Sequence, residues 1–251
     1  MKTKIIYEDQ HILVCYKPAG LATQTARVGQ QDMVSELKNY LAGKARQQAM
    51  QADAQKKPQS VPQKKFIQPY LGVIHRLDQP VEGLLVFAKN SPAAAKLTAQ
   101  LSQGTLNKQY YAVVCGQPPV ETAELVDYLV KDEASGSAVV VEGENRSAVN
   151  AKKAVLQYRV ISQLSTQAQI AMLDIHIDTG RFHQIRAQMT HAGLPLLGDG
   201  RYGSELSCMI SRELQVRNVA LCAYKIVLKH PATGKQMTFE VKPEGSIFAK
   251  F

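Results

Sequence analysis

Tryptophan is absent from the 251 residues of the chain, and cysteine is scarce. The four cysteines, at positions 15, 115, 208 and 222, form no CxxC pair and lack the close spacing of zinc ligands. A chain of this length can bury a core without disulfides. We therefore expect reduced thiols in a cytoplasmic protein, and we exclude a secreted disulfide scaffold and a zinc ribbon.

Long apolar runs are also missing. No segment has the roughly 18 consecutive apolar residues that indicate a membrane-spanning helix. The first nine residues, MKTKIIYED, lack the apolar core and cleavage site of a secretion signal. The motifs GxxxxGK[ST], HExxH and GxSxG do not occur either. These absences argue against an NTPase, a zinc protease and a serine hydrolase, and we expect no membrane association and no metal.

Acidic residues are few relative to basic ones. Lys and Arg total 30 and Asp and Glu total 21, so the formal net charge is +9. A basic surplus favours a polyanionic partner such as a nucleic acid. The segment 44–65 holds six Gln, six Lys or Arg and a single acid. We predict a flexible basic loop there, either a solvated linker or an arm that orders on RNA.

Apolar patterning predicts many short strands and few helices. Helices are expected from Asp32 to Gly43, from Ser91 to about residue 104, and over 182–192 with Phe182 turned inward. Because strands dominate and short turns join them, we predict one α+β domain over 1–251. Its sheet is mixed and mostly antiparallel, with flanking helices and loops and a central cleft. Strands are predicted at 5–7, 11–16, 84–88, 110–115, 138–142, 152–161, 169–178, 218–228 and 236–241.

Three polar segments stand out from the apolar runs around them. The first, 72–83, contains Asp78 on a predicted loop at a strand end, where functional residues are common. The alternative is an Asp that caps its own backbone. The second, 179–186, carries Arg186 on the first turns of a predicted helix. This arginine could pair with Asp78, or it could belong to a solvated polar face.

The third segment, 107–113, contains two adjacent tyrosines on a predicted strand. Tyr110 and Tyr111 must point to opposite faces of the sheet. One of them could face a cleft, where a phenol can stack on a base and transfer a proton. The alternative is that both tyrosines are packing residues.

Taken together, these segments resemble the motifs of one family, the RluA-type pseudouridine synthases. Residues 75–78 with 83–86 resemble its HRLDxxTSGLLV motif, and 108–116 resemble KxYxAxVxG. Residues 180–186 and 193–203 resemble GRTHQIR and GHPILGDxxYG. The opening YED and KPAG segments and the closing HPATG at 230–234 complete the set in the family's order.

The resemblance implies an enzyme that isomerises uridine to pseudouridine in tRNA or rRNA without a cofactor or metal. It implies that Asp78 is the catalytic aspartate, which attacks C1′, attacks the uracil ring, or assists glycal formation. Tyr110 is implied to be a catalytic residue that stacks on the target base and could move the C2′ proton, and Arg186 is implied to pair with Asp78. Arg76 is implied to fill the space left by the flipped uridine. Six further motif residues are expected to bind substrate: His75, Leu77, Arg181, His183, Gln184 and Ile185.

The chain also departs from the family pattern. Val81-Glu82 replaces Thr-Ser, and Glu82 could disturb Asp78 or repel a phosphate. Phe182 replaces the Thr of GRTHQIR. The S4 RNA-binding domain of some relatives is not expected, because the resemblance begins at residue 5. We expect a monomer without an obligatory protein partner. The rival hypothesis is a non-catalytic RNA-binding or RNA-folding protein on the same fold.

Overall fold

The computed structural model describes residues 2–25, 29–54, 68–143, 150–165 and 169–251. Eleven strands within these residues form one sheet. The first seven are β1 (Lys4–Glu8), β2 (Ile12–Lys17), β3 (Gly72–Val73), β4 (Glu82–Ala88), β5 (Asn107–Cys115), β6 (Thr122–Asp132) and β7 (Ser137–Val140). The other four are β8 (Lys152–Ser165), β9 (Gln169–Ile177), β10 (Leu221–Lys229) and β11 (Gln236–Glu240).

The sheet order places the last long strand of the chain in the middle. The order is β1-β2-β4-β10-β5-β9-β8-β6-β7, with β3 beside β4 and β11 beside β10. Among the described pairs, β4 with β10 is parallel and the others are antiparallel. This arrangement confirms the predicted α+β class and the mixed, mostly antiparallel sheet.

Gly83 permits the close parallel contact between β4 and β10. Its φ is +124°, and a Cβ at this position would lie 2.5 Å from the backbone nitrogen and oxygen of Ala223. No L side chain fits in that space. Gly83 therefore allows β4 to pair with β10 at the middle of the sheet, five residues after Asp78.

Helices cover both faces of the sheet. One face packs against α1 (Met33–Ala54) and α3 (Gln184–His191), through residues such as Leu37 and Met189. The other face packs against α2 (Ser91–Ser102), α4 (Glu205–Glu213) and a 3₁₀ helix (Ser246–Lys250). Within the described ranges, no helix combines the length and apolar character needed to cross a membrane.

The first helix corrects the predicted loop at 44–65. It continues through Gly43 to Ala54, so the loop prediction is wrong for 44–54, and 55–65 lie outside the described residues. Gln, Lys, Arg and Ala are good helix formers. The shortage of apolar side chains in 44–54 indicates that this part of the helix is exposed to solvent, as the exposed Met50 shows. It does not indicate that the helix is absent.

Three smaller differences concern element ends and omissions. Asn90, and not Ser91, caps α2, because its side-chain oxygen accepts a 2.9 Å hydrogen bond from the Ala93 amide. Strand β6 and helix α4 were not predicted. Strand β6 has mostly exposed and half-buried positions and several charged residues, so its sequence lacks the apolar run by which the other strands were predicted. The remaining predicted strands are confirmed, with ends that differ by a few residues.

Glu8 ties α1 to the sheet through three donors. Its carboxylate accepts hydrogen bonds from Tyr40 Oη, Lys44 Nζ and Lys89 Nζ at 2.9, 2.8 and 2.7 Å. Burial alone would raise the pKa of Glu8, but the hydrogen bonds from Lys44, Lys89 and Tyr40 outweigh it and hold the pKa at about 2. The carboxylate therefore stays ionised in the folded protein well into the acid range.

We expect the stability that Glu8 contributes to be complete above pH 4.5 and to disappear as the pH falls toward 2. The unfolded chain binds the proton first, so acid favours unfolding in this window. Glu8→Gln should cost on the order of 2 kcal/mol at pH 7 and flatten this part of the profile. Urea unfolding at stepped pH values measures both effects. The matched control is Glu133→Gln at an exposed ion pair; equal losses in both variants would contradict the prediction.

Candidate active site

The loop that carries Asp78 is held by the N-terminal part of the chain. Thr23 Oγ1 donates to the Leu77 carbonyl at 2.9 Å and accepts from the Leu77 amide at 3.3 Å. The Lys17 ammonium, fully buried, donates to the carbonyls of Leu21 and Gln79 at 2.7 and 3.0 Å. Burial lowers the pKa of Lys17 to about 7, against the opposing effect of Asp78 and Glu82. These bonds fix the backbone on both sides of Asp78.

Arg186 lies between two carboxylates. Its Nη1 is 3.2 Å from Asp78 Oδ2, while Nε and Nη2 donate to the two oxygens of Asp199 at 2.7 and 2.8 Å. Burial would lower the pKa of Arg186, but Asp199 and Asp78 outweigh it and raise the pKa. The predicted pairing of Arg186 with Asp78 is therefore present. Arg186 as a whole residue is 5% exposed, so the alternative of a solvated polar face is wrong.

The segment 198–203 supplies the second carboxylate and a ring beneath the arginine. Asp199 Oδ1 also accepts from the amides of Arg201 and Tyr202, both at 3.1 Å. The Tyr202 ring centroid lies 4.9 Å from the Arg186 guanidinium carbon, a cation–π contact. Residues Gly198 to Gly203 have the spacing GxGxxG, which in a dinucleotide-binding motif follows a strand. Here a helix precedes the segment, and its carboxylate and ring contact Arg186 instead.

His183 lies at the start of α3, beside Asp78. Its backbone is left-handed, with φ +51°, which is uncommon for a residue other than glycine. Nδ1 is 2.9 Å from Tyr202 Oη, and Nε2 is 3.6 Å from Asp78 Oδ2. Burial lowers the pKa of His183, and Arg186 lowers it further against the opposing effect of Asp78. The imidazole is therefore neutral at pH 7 and makes no full ion pair.

The adjacent tyrosines separate as predicted. Tyr110 packs on the same face of the sheet as Leu77 and lines the cavity with Asp78, whereas Tyr111 lies on the other face. The Tyr111 ring stacks on Tyr224 with centroids 3.7 Å apart. Burial, and then the charge of Asp78, raises the pKa of Tyr110, so its phenol stays protonated. Tyr110 therefore packs in the core and also lines the cavity, whereas Tyr111 only packs on the far side of the sheet.

A cavity of about 550 Å³ brings the predicted site residues together. All ten residues predicted for catalysis or substrate binding line it. A second cleft of about 500 Å³ adjoins it and shares Arg76, Asp78, Phe182, His183 and Arg186 among its walls. Arg76 is exposed at this junction. The three polar segments therefore form one site, and Asp78 lies where the two clefts meet.

Several of the predicted substrate-binding side chains have internal partners. His75 is buried, and its Nε2 accepts from the Val86 amide at 3.3 Å. The Gln184 side chain accepts from the Arg181 amide and donates to the Val155 carbonyl. Leu77 and Ile185 are buried in the core, and Arg181 Nε donates to the Lys153 carbonyl at 2.9 Å. These residues shape the cavity wall.

Two expectations about the departures from the family pattern are wrong. Phe182 is 41% exposed and does not pack inward, because α3 begins at Gln184 after the left-handed His183. Glu82 does not lie beside Asp78. It points to the opposite face of the sheet, where its oxygens accept from Tyr16 Oη at 2.7 Å and the Gly245 amide at 3.0 Å. It therefore presents no charge to a phosphate in the cleft.

Sequence reasoning missed three residues that build the site: Lys17, Lys108 and Asp199. The motif segments that contain them were recognised, but no role followed from residue type alone. Lys108 lies two residues before Tyr110 on β5, on the same face, and lines the cavity. Burial lowers its pKa to about 8. Its signal was a lysine at the polar end of an otherwise apolar strand.

The fold is shared with two solved human structures. Human RNA Pseudouridylate Synthase Domain Containing 1 matches with a TM-score of 0.71 at 17% identity, over 96% of this chain and 83% of that one. Human RNA Pseudouridylate Synthase Domain Containing 4 matches with a TM-score of 0.68 at 22% identity, over 98% and 90%. The sheet and its central cleft are therefore those of a pseudouridylate synthase domain.

Sequence comparison identifies the family. Residues 11–191 match the model of the family described as RNA pseudouridylate synthase. Ribosomal large subunit pseudouridine synthase D of Zymomonas mobilis is 31% identical over 95% of this chain and 68% of its own length. The protein of the same name from Pseudomonas aeruginosa is 32% identical over 96% and 68%. The chain belongs to the RNA pseudouridylate synthase family and isomerises uridine to pseudouridine in RNA.

Proposed function

We propose that Asp78 is the catalytic aspartate of this isomerase, with Arg186 as its charge partner and Tyr110 as the platform for the target base. The observation that carries the proposal is the 3.2 Å contact between Arg186 and Asp78 inside a cavity that Tyr110 also lines. A buried arginine offsets the charge of a carboxylate that acts on an electron-poor sugar or base. Arg186 itself is held in place by Asp199.

The reaction requires the uracil to leave and return within one enclosed site. The N1–C1′ bond breaks, the base turns, and a C5–C1′ bond forms. The C5 hydrogen leaves as a proton, and N1 gains one, so the atoms balance. Because uridine in a helix is inaccessible, it must be flipped out at a cost of a few kcal/mol. Exposed Arg76 fits the role of filling the vacated space. Protonated Tyr110 is suited to donate a proton or hydrogen bond rather than to remove one.

We propose large-subunit ribosomal RNA as the substrate, because two relatives that match nearly the whole chain bear that name. Transfer RNA is the alternative. A cytoplasmic monomer accords with the free thiols of all four cysteines and with a site built from one chain. Light scattering coupled to gel filtration tests the monomer.

The test is tritium release from RNA labelled at uridine C5. Large-subunit rRNA and bulk tRNA are offered separately to the purified protein. Release from rRNA alone supports the proposed substrate, and release from tRNA alone overturns it. RNA binding without release from either RNA would favour the rival, a non-catalytic RNA-binding protein on the same fold.

Lys108 extends the proposed site. No described residue accepts a hydrogen bond from its ammonium, which lines the cavity at the end of a half-buried side chain. Burial without a partner disfavours the charged form of the lysine, and it lowers the pKa of Lys108. Its presence in the cavity is explained if RNA supplies the missing acceptor.

We expect Lys108→Met to stabilise the protein and weaken its activity. The pKa is about 8 in the folded state and near 10.5 in the unfolded chain. The unfolded chain binds more protons between these values, so wild-type stability should rise from pH 8 to 10.5. The variant should lack this rise and gain on the order of 1–3 kcal/mol at pH 7.

The same variant should lose roughly 10- to 100-fold in kcat/KM, the value of one charge-assisted hydrogen bond. Chemical unfolding and tritium release measure the two effects on one preparation. The matched control is Lys96→Met, whose ammonium donates to the Pro231 carbonyl away from the cavity. A Lys108 variant that is less stable than wild type, or fully active, would refute the assignment.

A further inference from the structure

The exposed ring of Phe182 lies at the junction of the two clefts that meet at Asp78. It lines both clefts and is 41% exposed. A single exposed apolar side chain is ordinary on a protein surface, so the significance of Phe182 lies in its place on the walls of both clefts. The core does not need this ring, because α3 begins two residues later and buries Ile185 and Met189 without it.

The ring is held rigidly from one side. It stacks on the His183 imidazole with centroids 3.7 Å apart and an interplanar angle of 21°. His183 is in turn fixed by Tyr202 Oη at 2.9 Å and by its left-handed backbone. A flat aromatic surface on a rigid support loses little conformational entropy when a planar ligand stacks on it. Phe182 is therefore preorganised for stacking.

An exposed cation lies beside the ring. Lys131 Nζ lies 5.5 Å from the Phe182 ring centroid, and its side chain is 46% exposed. Its ionic partner Glu133 is more exposed still, at 78%. Such a surface ion pair is worth little, so Lys131 can exchange Glu133 for another anion at small cost. An aromatic ring with an adjacent, weakly held ammonium provides for both a nucleobase and its phosphate.

We propose that Phe182 and Lys131 form a subsite for a nucleotide that flanks the flipped uridine, with the base stacked on the ring and the phosphate paired with the ammonium. The proposal rests on the proposed function, since it places the target uridine in the cavity beside Asp78. The subsite contributes to RNA affinity and to the choice of site, not to bond breaking. The neutral His183 beneath the ring also contacts Asp78, so stacking occurs next to the reacting group.

Kinetics of Phe182 variants test the stacking. Phe182→Thr should raise KM for large-subunit rRNA roughly 5- to 100-fold while kcat changes little, because the lost contact binds ground and transition states alike. Phe182→Tyr should keep the wild-type KM, and Phe182→Leu should fall between. Lys131→Gln should reduce the salt dependence of binding by about one phosphate contact. Tyr70→Thr, at an exposed ring outside both clefts, is the control.

A fluorescence measurement separates this subsite from catalysis. The chain has no tryptophan, so Phe182→Trp introduces a single reporter at the platform. Its emission should be quenched by fragmented large-subunit rRNA, whereas Tyr70→Trp should be unaffected. Absence of quenching together with an unchanged KM for Phe182→Thr would overturn the subsite even if wild type turns over. Quenching without any turnover by wild type would instead refute the proposed function and leave the nucleotide platform standing.

Discussion

Replacing Asp78 with Asn should abolish isomerisation while RNA binding persists. The substitution keeps the size of the side chain and one oxygen to face Arg186, but it removes the charge and the carboxylate that we propose as the catalytic group. A carboxylate is needed for attack at C1′, for attack on the uracil ring and for assisted glycal formation alike. We expect a loss of at least roughly 10³-fold in tritium release. RNA affinity, set largely by phosphate contacts, should stay within about threefold.

The control for Asp78→Asn is the same change at Asp174. That carboxylate pairs with exposed Arg159 at 3.4 Å and does not line the cavity with Asp78. Asp174→Asn should retain turnover within about threefold, because Asn keeps an oxygen that can accept from Tyr224 Oη and the contact with exposed Arg159 contributes little. Substantial tritium release by Asp78→Asn would remove the catalytic assignment. Loss of RNA binding in parallel with activity would instead indicate that the variant has disrupted the cleft.

Replacing Asp199 with Asn should reduce both stability and activity. Two of the three Arg186 contacts to carboxylates end on Asp199, which is itself buried. Removing one partner of a buried pair costs about 3–5 kcal/mol, because the other charge stays buried. The guanidinium would then be free to shift relative to Asp78, and a small misplacement of a catalytic group can cost about 10²-fold. We expect both losses together.

Stability and activity can be separated for Asp199→Asn by temperature. Thermal unfolding should show a lower Tm, and turnover should be measured well below the Tm of the variant, where all of it is folded. Glu244→Gln, at the surface ion pair with Lys4, is the matched control and should change stability by less than about 1 kcal/mol. Wild-type kcat in folded Asp199→Asn would show that Arg186 needs no second carboxylate.

The sequence predicted which residues meet in the cavity better than it predicted the residues that hold them there. Asp78 and Arg186 are 108 positions apart, and their pairing was expected from an arginine on the first turns of a helix and from the family resemblance. The assignment of Tyr110 to the cleft followed from family resemblance together with strand alternation, which places adjacent tyrosines on opposite faces. The alternation of side chains along a strand is informative where two adjacent residues must face opposite sides of the sheet.

The supports depended on backbone geometry that no local pattern contains. Asp199 reaches Arg186 only because the turn at 198–203 brings it under α3, a tertiary contact. The left-handed backbone of His183 delays the start of α3, which turns Phe182 outward and defeats the helical spacing used to place it inward. Glu82 alternates away from Asp78 because β4 begins at Glu82. In each case, the backbone conformation at one position determines the direction in which a side chain points.

The central position of β10 has a consequence for the order in which the protein is made. Strand β10, residues 221–229, lies between β4 and β5. It therefore connects the part of the sheet that follows the Asp78 loop with the rest of the sheet, against which the helix that carries Arg186 packs. During synthesis, both parts emerge before the strand that unites them. Their contact is long-range in sequence, which slows folding. A nascent chain should therefore hold Asp78 and Arg186 apart until residues 221–229 have left the ribosome, and truncation before residue 221 should yield an inactive protein.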